Sequence, residues 1–336
     1  MKNLKKIISV TMMAVLILCN SSITYAAANK SVDTNNILLK IGYSPEIADV
    51  MSQEDSKEIT EAYIKNPDRV SYSSSVLEVD VLSEMETYVN TTHDEKLKMG
   101  LTEEQIKKTD GEINNFLGKS DSQLKKDYNI DDTTIKLMRK ALQPNNDYSV
   151  KDVYPDVTAS GSVTQSEMNI GQSVVDYSTS SKKNYSVFST FYWNDWYFWA
   201  CFNDKLVTAW GGNLTQSVSN SSIGYDSQND SGVWGSYSTT KTASYVESSI
   251  NAGGYYSWPQ GLYDSVGSKA RYGSISYKLS QNSAGNKTTK ILSQYAHQTL
   301  SLTGSGISVS ASGPSVTITI GTAYDKSPQC EDIITY

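Results

Sequence analysis

Phe191-Tyr192-Trp193-Asn194-Asp195-Trp196-Tyr197-Phe198-Trp199-Ala200-Cys201-Phe202 places eight aromatic rings within twelve residues. Exposed Trp and Tyr present flat apolar faces with polar rims, which suit a sugar ring, a partner protein or a membrane interface. A second group, Tyr255, Tyr256 and Trp258, follows Gly253-Gly254. Trp193, Trp196, Trp199, Tyr255, Tyr256 and Trp258 are therefore the ligand-binding candidates. Core packing competes for the same rings. Period two puts Trp196, Phe198, Ala200 and Phe202 on one face and Tyr197, Trp199 and Cys201 on the other, and burying either set accounts for about half of the cluster.

Signatures of catalysis are sparse. The sequence has no G-x-S-x-G, no H-E-x-x-H and no Walker A motif. Its two histidines are His93 and His297, so a His-dependent nucleophilic site would use His297, which sits in a strand pattern and also fits a structural role. Ser180-Ser181-Lys182-Lys183 matches S-x-x-K in a Ser-rich stretch where chance matches are expected. A carboxylate pair of the glycosidase kind can be drawn from Asp176, Asp195, Asp204, Asp226, Glu247 and Asp264, as in any acidic β-protein. No catalytic residue, metal site or cofactor is assigned. Asp226 to Gly232 lacks the Gly that a calcium loop needs at its sixth position and reads as a surface turn.

The chain has 336 residues, a net charge of −7 and a pI near 5.0, which argues against nucleic acid as a partner. Met1–Ala28 reads as a secretory signal: Lys2, Lys5 and Lys6 precede an uncharged, mostly apolar run from Ile7 to Leu18, and Ala26-Ala27-Ala28 supplies small residues for cleavage. Twelve residues of helix reach about 18 Å, short of a bilayer core of roughly 30 Å. Cys19 raises a lipoprotein reading, but bulky Leu18 precedes it. No later stretch is apolar enough for a membrane span. The mature chain then holds Cys201 and Cys330, which form one disulfide or remain two buried thiols; the sequence leaves both open.

The elements that must position these residues divide near residue 148. From 29 to 150 acidic residues outnumber basic ones, 23 to 15, and all six Trp come later. Pro144, Asn145, Asn146, Asp147 and Pro155 break any helix between the two parts. The first part contains Leu39-Lys40-Ile41-Gly42-Tyr43-Ser44, Leu97-Lys98-Met99-Gly100-Leu101-Thr102 and Leu124-Lys125-Lys126-Asp127-Tyr128-Asn129. Gly supplies a left-handed helix end, and Ser, Thr or Asn supplies the next N-cap, so each copy predicts helix, turn, new helix. Thr102 with Gln105 predicts a capping box. Ser71–Ser75 reads as a loop before a helix over Val76–Val89. Gly42-Tyr43-Ser44-Pro45 resembles the turn of DNA-binding helix pairs, but Glu46, Asp49, Glu54 and Asp55 on the following helix would repel phosphates.

Beyond about 160 the period becomes two. Ile307, Val309 and Ala311 alternate with Ser, and Val316, Ile318 and Ile320 with Thr, around Gly313-Pro314, which predicts a hairpin. Ile275, Tyr277 and Leu279 alternate likewise. Further strands are expected at Val163–Ile170, Ser173–Ser178, Tyr185–Trp193, Trp196–Phe202, Leu206–Trp210, Ser244–Ser248 and Lys290–Leu302, with Asn194-Asp195 turning the aromatic pair into a hairpin. One apolar and one Ser/Thr face per strand predicts packed antiparallel sheets. The expected fold is α+β by segregated domains: a signal peptide at 1–28, a helical domain at 29–148 forming a short-helix bundle, and an all-β antiparallel sandwich at 149–336.

Asp204-Lys205-Leu206-Val207-Thr208-Ala209-Trp210-Gly211, Tyr295-Ala296-His297, the Ile307–Ser310 and Val316–Gly321 strands, Tyr324-Asp325 and Gly42-Tyr43-Ser44 together resemble a pattern in uncharacterised exported proteins of Gram-positive bacteria. The resemblance implies export and a β-domain, and no function. The leading expectation is a non-enzymatic protein, secreted or held at the cell envelope, that binds envelope glycan or a surface protein through its aromatic β-domain. A membrane-active, bacteriocin-like toxin and a glycosidase with an Asp/Glu pair are the alternatives.

Overall fold

The computed structural model describes residues 32–128, 131–144, 165–194, 203–228, 234–249, 251–261, 268–282, 285–299, 306–322 and 324–336. The leader, Asp195, Trp196, Trp199, Cys201 and Asp264 lie outside them. The described chain opens with α1 (Val32–Ile41), α2 (Pro45–Val50), α3 (Gln53–Lys65) and β1 (Val70–Asp80), followed by α4 (Val81–Asn90), α5 (His93–Lys98), α6 (Glu103–Gly118), α7 (Asp121–Tyr128) and α8 (Asp132–Ala141). The later strands are β2 (Gln165–Asp176), β3 (Lys183–Trp193), β4 (Asn203–Trp210), β5 (Thr215–Gln228), β6 (Trp234–Lys241), β7 (Ser244–Ser249), β8 (Gly253–Pro259), β9 (Lys269–Gln281), β10 (Thr288–Gln298), β11 (Ile307–Ser312), β12 (Ser315–Ile320), β13 (Tyr324–Lys326) and β14 (Cys330–Thr335).

The turn motifs behave as their residue types require. Gly42 has φ 121° and Gly100 φ 97°, and Ser44 and Thr102 cap the helices that follow, Thr102 in a reciprocal box with Gln105. In the third copy Asn129 lies outside the described residues, and the helix that follows is capped by Asp131. Ile106, Thr109, Ile113 and Phe116 form the buried stripe of α6 and meet Val81, Leu82 and Met85 of α4 and Ile135 and Met138 of α8. This cluster is the short-helix bundle.

Two antiparallel sheets make the sandwich. The first runs β1-β2-β3-β9-β5-β6; the second runs β13-β10-β4-β8-β7, with β14 also paired to β10. Between them lie Val187, Phe191, Trp193, Trp210, Tyr225, Trp258, Ile275, Tyr277 and Tyr295. The middle of this apolar layer is polar. Gln172 Nε2 donates to Asp332 Oδ2 at 2.6 Å, Ser73 Oγ donates to the same oxygen at 3.0 Å, and Ser189 and Ser293 hydroxyls meet across the sheets at 2.8 Å. These pairs satisfy buried polar groups and fix one register of sheet on sheet. On the outer face of the second sheet, the β11–β12 hairpin covers Val207, Ala209, Leu292 and Ala296, with Ser308, Ser310, Thr317 and Thr319 turned to solvent as the alternation predicts.

Two expectations about strands are corrected. Ser71–Ser75 is strand, not loop: β1 pairs with β2 from Val70↔Val175 to Asp80↔Gln165, and helix begins only at Val81. Helices α1–α3 pack on the outer face of the first sheet, where Leu38, Tyr43, Ile47 and Ile59 meet Val175 and Phe188. Residues 32–80 thus pack with the first sheet, and residues 81–142 hold a second apolar cluster of helices. Strands β3 and β4 belong to different sheets, and Trp196–Phe202, the expected second arm of the aromatic hairpin, lies outside the described residues. Val163–Ile170 and Ser173–Ser178 are one strand, β2, continuous through buried Gly171.

Candidate functional site

Two places gather groups with chemical potential. The first lies at the end of the sandwich where β4 begins and β10 ends. Register pairs Ala296 with Lys205, which brings Asp204 and His297 to adjoining strands. Asp204 is fully buried and His297 is 1% exposed. Asp204 Oδ1 lies 2.9 Å from His297 Nδ1 and accepts from Gln260 Nε2 at 2.7 Å, while Oδ2 accepts from the Tyr295 hydroxyl at 2.6 Å. His297 Nε2 lies 3.3 Å from Glu84 Oε1 on α4, whose side chain is 14% exposed. The Trp193 indole stands edge-on to the imidazole at 5.4 Å.

Burial acts to lower the His297 pKa, but the charges and hydrogen bonds of Asp204 and Glu84 outweigh it and hold the imidazole well above its ordinary value. Glu84 is raised by burial, only partly offset by His297. The imidazolium is thus shared between two carboxylates. A nucleophilic relay needs a hydroxyl or thiol on the nitrogen opposite the aspartate. Glu84 occupies that place, so the array works as a charged tie between the helical cluster and the second sheet. Sequence reasoning named Asp204 and His297 separately and missed Glu84, which no spacing links to either.

The second place is a cleft of about 390 Å³ lined by Glu58 of α3, Tyr177 and Lys182 of the β2–β3 turn, Asn184, Tyr185, Ser217 and Lys278. The Tyr177 N–H donates to the Asn184 carbonyl and the Thr179 N–H to the Lys182 carbonyl, which closes a tight hairpin and holds the Tyr177 ring up, 41% exposed. Glu58 Oε1 accepts from Ser186 Oγ at 2.6 Å, and its Oε2 lies 3.6 Å from Lys278 Nζ. Burial, then the charge of Glu58 and its hydrogen bond, push the Tyr177 hydroxyl up to about 12. The cleft therefore offers one aromatic wall, an oriented carboxylate and donors from Lys182 and Asn184, while the Ser217 hydroxyl donates to the Lys278 carbonyl at 3.2 Å. The Ser180–Lys183 match falls on this turn, where Lys182 lines the cleft rim and Lys183 Nζ donates to Thr335 Oγ1 at 2.9 Å.

The candidates drawn from the sequence separate sharply. Trp193, Tyr256 and Trp258 are at most 3% exposed; Trp258 stacks on Phe191 at 5.0 Å and 7°. These three are sandwich core, because period two turns them inward beside Phe191 and Tyr295. Tyr255 points to the opposite face and is half-buried at the edge of the β11–β12 hairpin. Trp196 and Trp199 lie outside the described residues. Cys330 is a buried free thiol, 3.4 Å from Ser75 Oγ, and burial pushes it up to about 11; Cys201, its expected partner, lies outside the described residues. Asp176 caps its own turn, accepting from the Ser178 N–H, and His93 pairs with Glu103 on the surface. Among the described residues no group of three His, Cys, Asp or Glu side chains is arranged to hold a metal, and no helix is long and apolar enough to cross a membrane.

No protein-family model matches the chain, and no curated protein matches it either.

Proposed function

We propose that this is an exported, non-enzymatic binding protein that takes a polar ligand of the glycan class in the Tyr177–Glu58 cleft. The observation that carries the reading is the cleft itself: a half-exposed ring braced by a buried-edge carboxylate and flanked by amide and ammonium donors, at a volume within the usual range for ligand sites. Sugars bind by stacking apolar ring faces on aromatics while their hydroxyls meet such donors and acceptors. The charged leader and small-residue cleavage region at Met1–Ala28 support export, with the cell envelope or its surroundings as the place of action. The role once expected of the Trp-rich strands passes to Tyr177, because the described tryptophans at Trp193, Trp210 and Trp258 are core.

Sedimentation with purified cell walls tests this. The protein is expected to pellet with the walls, Tyr177→Ala is expected to stay in the supernatant with an unchanged circular dichroism spectrum, and equal pelleting of both proteins would sink the assignment. Dye release from liposomes separates the toxin reading, which requires leakage at micromolar protein.

A further inference from the structure

The outer face of the second sheet places one amine in a setting unlike that of a surface lysine. Lys205 follows Asp204 on β4, so its side chain leaves the opposite face of the sheet. That face carries Val207, Ala209 and Ala296, packed with Ile320 and Tyr324 beneath the β11–β12 hairpin, with Tyr255 at the margin. The Lys205 amine hydrogen-bonds the Tyr324 hydroxyl and lies 4.3 Å from the centroid of that ring. Among the described residues the one carboxylate acting on it is Asp204, whose oxygens are already engaged by His297, Gln260 and Tyr295. An amine at the edge of an apolar cluster, beside a phenol and with no carboxylate of its own, is built to shed its proton and act as a nucleophile.

We propose that Lys205 is a carbonyl-accepting amine that forms a Schiff base with small aldehydes, with Tyr324 as its proton relay. The nitrogen lone pair forms a bond to the carbonyl carbon, and the C=O π pair moves to oxygen, which takes up a proton while the nitrogen gives one up. The carbinolamine then loses its oxygen as water, and the remaining N–H proton leaves as the C=N bond forms. Aldehyde plus amine gives imine plus water, with no change of oxidation state. Tyr324, held protonated up to about 12 mainly by burial, is the donor beside the departing oxygen. Burial outweighs the pull of Asp204 and brings the amine down to about 8, against roughly 10.4 for exposed lysines. The ring face favours the ammonium form only weakly.

The test treats the whole folded protein with glycolaldehyde and sodium cyanoborohydride, which traps imines as secondary amines, and maps modified lysines by mass spectrometry. At pH 7.5 Lys205 should be labelled at least about tenfold faster than the average exposed lysine, given the difference in free-base fraction. Its rate should rise with a midpoint near 8, and Tyr324→Phe should slow Lys205 severalfold while leaving other lysines unchanged. Labelling spread evenly over the lysines, absence of label at Lys205, or a midpoint near that of exposed lysines would overturn the proposal. The pH profile needs only the unaltered protein, so the proposal stays exposed to refutation whether or not the variant folds.

Discussion

His297 illustrates how a single residue can be chemically prominent and still be structural. Its two nitrogens are taken by carboxylates from different parts of the chain, so removing either partner strands a buried charge, at a cost of about 3–5 kcal/mol. Asp204→Asn is expected to lower the midpoint of urea unfolding accordingly. The pH dependence has a definite sign. His297 and Glu84 both have folded pKa values above their unfolded ones, so the folded protein binds more protons. The imidazolium's contribution is fully present below about 6.5, the unfolded value, and is lost as pH rises through the raised folded value. Melting temperature should therefore fall as pH rises above about 6.5, and His297→Gln should flatten that slope; a parallel slope in the variant would contradict the tie. The sequence displayed Asp204 and His297 as ionisable groups in strands. It could not display Glu84 as their partner, because contact between a helix and a distant strand end leaves no local spacing.

At the scale of elements, what could be read depended on which face was apolar. The β11–β12 hairpin was legible because Val, Ile and Ala fill one face and Ser and Thr the other. Strand β1 was not, since its inward residues Ser73 and Ser75 are polar and meet Asp332 and Cys330 instead of hydrocarbon. A strand that buries hydroxyls against a polar seam carries no period-two hydrophobic signal. The start of the aromatic run was legible as a strand, since Phe191 and Trp193 turn inward and Tyr192 outward along β3. Strand pairing also depends on one backbone position: Gly253 has φ 123°, and a Cβ there would lie 2.1 Å from the Thr208 carbonyl oxygen. Gly253→Ala should destabilise the fold by well over 1 kcal/mol, read as a drop in the denaturant midpoint. A fragment beginning at residue 149 should aggregate, because it lacks β1 and uncovers Val175 and Phe188, which α1–α3 bury. A soluble fragment with native-like near-UV dichroism would support a boundary near 148.

Taken whole, the molecule is a layered body: helices α1–α3, two sheets and the β11–β12 hairpin, with the 81–142 helical cluster tied on at one end through Glu84. Its acidity, which the sequence concentrates before residue 150, thus falls on the helices that flank the sandwich, while the Tyr177 cleft pairs its one carboxylate, Glu58, with Lys278 and sets Lys182 at the rim. The proposed export makes a direct prediction: N-terminal sequencing of protein recovered from culture medium should begin at Ala27 or Asn29, and retention of Met1 in that fraction would exclude the leader. One contact also bears on the order of events in the cell. Ser73, in the first of the described strands, hydrogen-bonds Asp332 on β14, 259 positions later. The seam that locks the two sheets therefore cannot close before β14 has been synthesised. A seam that closes so late leaves the chain without its full tertiary structure through most of its synthesis, the condition in which a polypeptide can still be threaded through a narrow pore.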